Sequence, residues 1–440
     1  MSLMNPLTHA FGLDIGDRTF KIVQVAKRRH PTAPYRITAW GSVDVPEGVL
    51  ERGEIRDLDK ATECLTSLLG KIHGRLKGRA VVGCLPEARS FVKVIELEDV
   101  RGAEAIGRAV LKEIEQNIPL PIDEIYYDWH LVEHHAHPAA PKPTDAEIRE
   151  GDVAQGNSTE KERELKAAEG GATKAAGTGE GRPPGTETEP KIPMKDGEAP
   201  EKETQPPPEA DRLASRTRIM LAAAPKKLVD NYVTMMEMAG LAPIALEIEA
   251  TAIARAIVPF DDSLDEPLGI LDIGATRSSL IVCDEEAMQM SISVPLSGNE
   301  LTEIISRELK ISLTDADLVK IECGLDAHRC EDKMWSILLP LIDDMTNKIR
   351  NALRFYHIGF PSGKKVERLY LCGGGAHFRD IDNVLSRKLT IKARRGDALV
   401  NVSKVPKSFP QDLSLAYTTA IGLALRASDE NERFHHSFRV

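Results

Sequence analysis

The sequence predicts an α/β protein of two like-folded lobes facing one cleft, with a long insert in the first lobe. Three observations predict this. The stretches Phe11–Val25, FGLDIGDRTFKIVQV, and Leu268–Cys283, LGILDIGATRSSLIVC, share one design: an apolar strand, an Asp-Ile-Gly break, a short polar turn and a second apolar strand. An apolar run, Leu369–Cys372, ends in Gly373-Gly374-Gly375 and precedes a helical pattern at Ile381, Val384, Leu385 and Leu389. Residues 138 to 215 contain no Phe, Tyr or Trp, yet hold 11 of the 27 prolines.

Taken in order, the first hairpin is followed by a third strand, Tyr35–Val45. A helix is expected over residues 58–76, where Leu58, Ala61, Leu65, Leu68, Leu69 and Ile72 share a face and Gly74 and Gly78 end it. Strands are expected at Arg79–Leu85, Phe91–Leu97 and Ile125–Glu133. A helix, Ala105–Asn117, stops before Ile118-Pro119-Leu120-Pro121. The insert cannot bury enough apolar surface to offset the entropy of ordering its backbone, so it is read as disordered. Order resumes with a strand at Thr217–Ala224. If this strand pairs with Ile125–Glu133, the insert is a hairpin loop grown long, at a closure cost of roughly 2–3 kcal/mol.

A helix at Lys226–Ala239 follows, and its methionine stripe is read as core. Next come a strand at Ala242–Ile248 and a helix at Ala250–Ile257. The second hairpin gains a third strand, Met288–Val294. Helices are expected at Glu300–Leu309, Thr314–Cys323, Asp332–Phe355 (interrupted near Pro340) and Leu415–Arg426. The tail from Ala427 is read as frayed.

Gly16 and Gly274 permit tight turns whose free N–H groups make anion-binding nests. Asp14 and Asp272 stand at the lips of those nests, where a carboxylate suits a hydrated divalent cation beside phosphate oxygens. Three contiguous glycines let a ligand approach the backbone closely. No GxxxxGK[ST] P-loop occurs, and the glycines lack the spacing of a dinucleotide-binding fingerprint. His130, His134, His135 and His137 are read as a solvated linker edge, and Glu113 and Gln116 as solvated helix residues. No Ser-His-Asp or paired-carboxylate constellation stands out.

A net charge of −11 leaves no basic field to recruit nucleic acid. The six cysteines form no CxxC pair and are read as small buried hydrophobes in a reducing compartment. No apolar run reaches the ~18 residues of a membrane span, and the N-terminus lacks a basic region followed by an apolar one. The expected location is cytoplasmic, with any membrane link made through a partner.

The order of two Asp-Ile-Gly hairpins and a strand–Gly-Gly-Gly–helix unit resembles the actin-like ATPase superfamily, where these are the phosphate-1, phosphate-2 and adenosine motifs. Further segments, in order, closely resemble the type IV pilus assembly protein M (PilM) family, which is similar to the cell-division protein FtsA. They are VVGCLPEARSFVKVIEL, AEAIGRAVLKEIEQNIPLPIDEIYYDWHLVE, MEMAGLAPIALEIEATAIARA, LSGNELTEII, DADLVK, LYLCGGGA and AIGLALR. The resemblance covers nearly all of the chain outside 138–215. It implies a two-lobed actin-like (ribonuclease H-like) fold, with subdomain 1A at 1–90 and 225–265 and an FtsA-like 1C (SHS2) subdomain at 91–224 carrying the insert. Subdomain 2A would lie at 266–300 and 367–428, 2B at 301–366, and a flexible tail at 429–440.

The resemblance also implies ATP and Mg2+ between the lobes. Asp14, Gly16, Asp17, Thr19 and Lys21 would form the phosphate-1 turn, with Lys21 meeting phosphate. Asp272, Gly274, Ala275 and Thr276 would form phosphate-2, and Gly373, Gly374 and Gly375 the adenosine turn. Asp317 and Lys320 would flank the ribose or base, and Asp14 and Asp272 would hold the metal. Asp17 and Arg18 depart from the small residues usual in this turn. Asp17 would either repel a γ-phosphate or help hold the cation, and Arg18 would offset it.

The implied partner is the N-terminal cytoplasmic segment of a PilN-like inner-membrane protein, gripped between 1A and 1C. Pilus motor or platform proteins are expected beyond it, and self-association is left open. The expected function is an ATP-binding adaptor of type IV pilus biogenesis and twitching motility, with slow or no hydrolysis. Two alternatives stand beside it: a sugar-type small-molecule kinase, which needs a general-base aspartate near the phosphates, and a type II secretion L-like component.

Overall fold

The computed structural model describes residues 9–27, 35–97, 103–132, 217–262, 264–284, 287–326, 328–330, 333–360, 363–428 and 437–439. The chain divides into two compact units, Met1–Ala139 with Ser215–Val440, and Ala140–Ala214. The second unit, with nearly all of the segment read as disordered, lies outside the described residues, as do His134, His135 and His137.

The first unit opens with β1 (Phe11–Ile15), β2 (Thr19–Lys27) and β3 (Tyr35–Asp44). The small pair β4 (Leu50–Glu51) and β5 (Glu54–Ile55) leads to α1 (Leu58–Gly70), and β6 (His73–Gly74) to β7 (Ala80–Leu85). Asp57 accepts the Lys60 N–H and so caps α1, which buries Ala61, Leu65 and Leu68. Next come β8 (Phe91–Leu97), α2 (Ala103–Asn117), β9 (Ile125–Leu131) and β10 (Thr217–Pro225), then α3 (Lys226–Met238), β11 (Ala242–Ile248) and α4 (Glu249–Ile257). The remainder is β12 (Leu268–Ile273), β13 (Ser278–Asp284), β14 (Ala287–Val294), α5 (Gly298–Leu309), α6 (Leu313–Cys323), α7 (Lys333–Gly359), β15 (Arg368–Cys372), α8 (Ile381–Leu389), β16 (Lys392–Arg395), β17 (Val402–Lys404), α9 (Thr418–Ser428) and β18 (Ser437–Arg439).

Two sheets repeat one strand order. In the first, β3-β2-β1-β7-β11 run side by side, extended at the ends by β17 and β18; in the second the order is β14-β13-β12-β15-β16. Both begin with two antiparallel pairings and continue with two parallel ones. All seven residues of β13 are buried, so it reads as an apolar run without alternation, as a strand covered on both faces should. The repeated order is the two like-folded lobes that the paired hairpins predicted.

Helix α4 packs against strands of both sheets, and α9 packs on α4 and on β1, β2 and β7 of the first. Gly12 in β1 lets α9 come close, because a Cβ there would stand 2.5 Å from the Ala420 carbonyl oxygen. Arg255 of α4 is fully buried. It makes two bonds to the Glu247 carboxylate, at 2.8 and 2.5 Å, and donates to the Gly422 carbonyl of α9 at 3.2 Å.

A third sheet, β8-β10-β9, stands apart. Its β9 and β10 pair antiparallel, with Ile219 opposite Leu131, so the insert leaves and re-enters at neighbouring strand ends. Ile106, Val110 and Ile114 of α2 pack on Ile95, Leu97, Ile219 and Leu221 of the sheet.

Three expectations need correction. Helix α7 runs through Pro340 without interruption. Pro340 is exposed, so the backbone bond it removes lies on the solvent side, while the buried stripe Met334, Leu338, Ile342, Met345 and Ile349 continues past it. Cys323 and Cys330 are joined as a disulfide rather than serving as free buried thiols. The chain turns back after α6 at Gly324, with φ of +61°, and brings the two Cα atoms to 5.9 Å, inside bridging range. The tail expected to be flexible contributes β18, which pairs with β11; residues 429–436 lie outside the described residues. An exposed sheet edge offers unpaired backbone groups that a passing strand can satisfy.

Candidate functional site

In the first sheet the parallel strands β1, β7 and β11 end at Ile15, Leu85 and Ile248; in the second, β12, β15 and β16 end at Ile273, Cys372 and Arg395. Ligands of α/β sheets bind outside such carboxyl ends. Both Asp-Ile-Gly turns, the glycine triplet and the first residue of α4, Glu249, follow directly from these ends.

The two hairpin turns share one geometry. The Gly16 N–H donates to the Thr19 carbonyl at 3.1 Å, and the Gly274 N–H to the Arg277 carbonyl at 2.9 Å. The second turn is also tied to a helix N-terminus: Gly298 donates to the Gly274 carbonyl at 3.0 Å and Asn299 to the Ala275 carbonyl at 2.8 Å. A helix N-terminus beside a glycine turn favours an anion.

The side chains differ. Lys21 lies 3.4 Å from the Asp14 carboxylate and donates to the Thr19 hydroxyl at 2.7 Å. Asp272 accepts from the Cys372 thiol at 3.5 Å. Burial, then the Glu249 carboxylate, pushes the Asp272 carboxyl up to about 7, with Asp14 adding to the rise. Burial likewise raises Glu249, although Arg277 opposes the rise. Burial acts to lower the pKa of Arg277, but the Glu249 and Asp17 carboxylates outweigh it and raise the pKa. Burial also raises Glu87, which receives the Ser291 hydroxyl at 2.5 Å from the other lobe.

Asp17 faces protein groups. It accepts the Gly53 N–H and the Thr276 hydroxyl, each at 2.7 Å, and lies 3.8 Å from Arg277, so it joins the two turns across the crevice. These bonds occupy the carboxylate that the kinase alternative would use as its base. Arg18 points elsewhere, to Glu47 at 3.9 Å. Arg277 binds Glu249 at 3.1 Å through Nη2, while its buried Nη1 faces the Asp17 carboxylate at 3.8 Å without a hydrogen bond, so the guanidinium is shared between two carboxylates.

The three glycines are not equivalent. Gly373 has φ of +77°, and a Cβ there would stand 2.5 Å from the Asp272 carboxylate; one at Gly375 would collide with Ile273. At Gly374 a Cβ would meet nothing within 4 Å, so this residue has room beside it for a ligand. Lys320 of α6 gives its ammonium to Asp317 at 2.6 Å, Thr302 at 2.7 Å and the Gly298 carbonyl at 3.2 Å. Its three donors are thus engaged at the N-terminus of α5, beside the second turn.

Among the described residues, no three or more His, Cys, Asp or Glu side chains gather as a metal site. A divalent cation would be held by Asp14 and Asp272 together with water and phosphate oxygens. The raised Asp272 carboxyl, crowded by two other carboxylates, fits such a cation.

Reading by motif missed Glu249, Arg277 and Glu87. Arg277 closes the second turn, Glu249 directly follows β11, and Glu87 lies two residues past the end of β7. The signal was their position at strand ends, which becomes visible once the parallel pairing is known.

A family model described as type IV pilus assembly protein PilM matches residues 12–151 and 208–428. A solved structure described as the PilM-PilN type IV pilus biogenesis complex superposes with a TM-score of 0.66 at 22% identity, covering 96% of this chain and 100% of that one. Cell division protein FtsA of Neisseria meningitidis serogroup B (strain ATCC BAA-335 / MC58) is 26% identical over 137 residues, or 31% of this chain. That match spans 32% of the FtsA length, about a third. MreB 5 of Spiroplasma citri, in a structure described as bound to AMPPNP, is similar over 46% of this chain and 64% of its own, with 15% identity and a TM-score of 0.35.

Proposed function

The chain belongs to the type IV pilus assembly protein PilM family, and from that premise we propose that it binds magnesium–ATP between its two lobes and couples that state to a PilN-like membrane partner. The observation that carries the nucleotide reading is the meeting of both Asp-Ile-Gly turns at the strand ends, bridged by the Asp17–Thr276 bond, with Asp272 raised to about 7 beside them.

Each group has a task in this reading. The N–H groups of the two turns and the α5 N-terminus receive phosphate oxygens. Lys21 and Arg277 balance their charge, and Gly374 leaves space for the base or ribose. Asp14 and Asp272 hold the magnesium ion, which would screen the triphosphate. Lys320 braces α5 through Asp317, Thr302 and Gly298, so it keeps the second turn in place; contact with the nucleotide would require it to release one of these acceptors. Glu249 is engaged by Arg277 and is no free base, which favours slow turnover, below ~1 s⁻¹.

The partner's extended N-terminal segment would dock in the groove between the β8-β10-β9 sheet and the first large sheet, which in this reading would be subdomains 1C and 1A. The protein would reach the inner membrane through this contact, and pilus motor or platform components would read its nucleotide state. No helix among the described residues is long and apolar enough to cross a membrane. The deciding experiment is titration calorimetry of magnesium–ATP with wild type and Gly374→Val. Saturable binding that the substitution removes at unchanged melting temperature supports the cleft; equal affinity in both refutes it.

A further inference from the structure

The first large sheet does not end at β11. On one side β11 pairs in parallel with β7; on the other it pairs antiparallel with β18, Ala245 opposite Arg439, Leu246 opposite Phe438 and Glu247 opposite Ser437. The strand β18 also lies against β9 of the three-stranded sheet. It therefore occupies the groove between the two sheets. The covered part of β11 is Ala245–Glu247, within its buried half, while Ala242–Ile244 and Ile248 stay outside the β18 register.

A three-residue strand is a weak cover for a seven-residue edge. Its attachment is short: α9 ends at Ser428, and eight residues, 429–436, precede β18. An exposed edge is a template for any extended segment, and main-chain bonds supply most of the affinity in such strand addition. We propose that the β11 edge is a peptide-docking edge, held closed by the chain's own C-terminal strand Ser437–Arg439. Resting on the partner reading above, the extended tail of the PilN-like protein would displace this strand. The C-terminus then acts as a competitor tethered in place, so binding in trans requires its release.

A short tether gives an effective concentration of about a millimolar, so a trans peptide of micromolar affinity should bind the intact chain at least ~10-fold more weakly than a chain without the tether. The test uses a labelled peptide of residues 433–440, RFHHSFRV, with three full proteins: wild type, a chain truncated after Ser428, and Phe438→Pro. Proline lacks a backbone donor and disfavours strand pairing, so the last variant weakens the cover over the edge while keeping the chain length. Melting temperature and magnesium–ATP binding establish that each protein is folded. The expected result is saturable anisotropy change with the truncated and Phe438→Pro proteins, and at least ~10-fold weaker binding to wild type. Absence of saturable binding to either variant, or equal affinity for all three proteins, overturns the proposal.

A second arm replaces the labelled peptide with the cytoplasmic N-terminal peptide of the organism's PilN-like protein. Tighter binding to the truncated chain, with displacement of the labelled peptide, supports competition at this edge. Equal binding to truncated and intact chains overturns the competition and leaves the pilus reading standing. If this peptide binds neither chain, the partner reading fails, while the first arm still decides whether the edge docks the C-terminus.

Discussion

Asp14 and Asp272 end the same kind of strand before the same kind of glycine turn. Each accepts from a buried thiol, Cys84 at 3.7 Å and Cys372 at 3.5 Å, but Asp14 has the Lys21 ammonium at 3.4 Å, whereas Asp272 has the carboxylates of Glu249 and Asp14 as neighbours. One backbone motif therefore serves two electrostatic purposes. The first turn carries its own counter-charge. The second concentrates negative charge that a cation from solution can relieve. Asp17 and Arg277 link the two, since each reaches from one turn to the other or to α4.

The comparison breaks most severely at Arg277. Replacing it with Met strands Asp17 and Glu249 without their shared cation, so a loss of about 3–5 kcal/mol is expected in urea unfolding. Lys21→Met in the other turn leaves one carboxylate without its cation instead of two, so its stability loss should be smaller and its ATP affinity should fall. If both variants lose the same stability, the two turns are electrostatically alike.

Asp272→Asn sharpens the contrast through pH. The folded Asp272 carboxyl sits at about 7, above its ordinary value of 3.8, so between these values the folded state binds more protons than the unfolded one. Stability without magnesium should therefore fall as pH rises from about 4 to 7 and then level off. The Asn variant should lack this part of the slope. Magnesium–ATP affinity in wild type should rise through the same range, as the carboxylate becomes available, and should do so much less in Asp272→Asn. Parallel pH profiles in the two proteins would remove Asp272 from the cation site.

Within the glycine triplet, Gly373→Ala and Gly374→Ala separate fold from ligand. The first meets Asp272 at positive φ and should lower the melting temperature by several degrees; the second meets open space and should leave it unchanged. The smallest effect belongs to the insert. Joining His137 to Ser215 through a short Gly-Ser turn should leave ATP binding unchanged and the melting temperature equal or slightly higher, because β9 and β10 already pair at their adjoining ends. Collapse of folding would show that residues 138–215 belong to the core.

The sequence by itself determined the local elements and their repetition. The pattern apolar strand, Asp-Ile-Gly, turn, strand needs only neighbouring residues, since a glycine turn and two buried strands are written within about fifteen positions. Helix caps at Asp57 and Ser297 and the stripe on α1 are local in the same way. Tertiary structure decided what surrounds each of these pieces. Motif reading left Asp17 as a phosphate repeller or cation ligand; in the fold it binds Thr276, 259 positions away. Glu249 and Arg277 meet because parallel pairing and the packing of α4 bring strand ends together, and Cys323 meets Cys330 because the chain turns back at Gly324. Charge interactions act through space and depend on burial, so the pKa of Asp272 follows from the neighbours the fold supplies, which the residue's own segment does not encode.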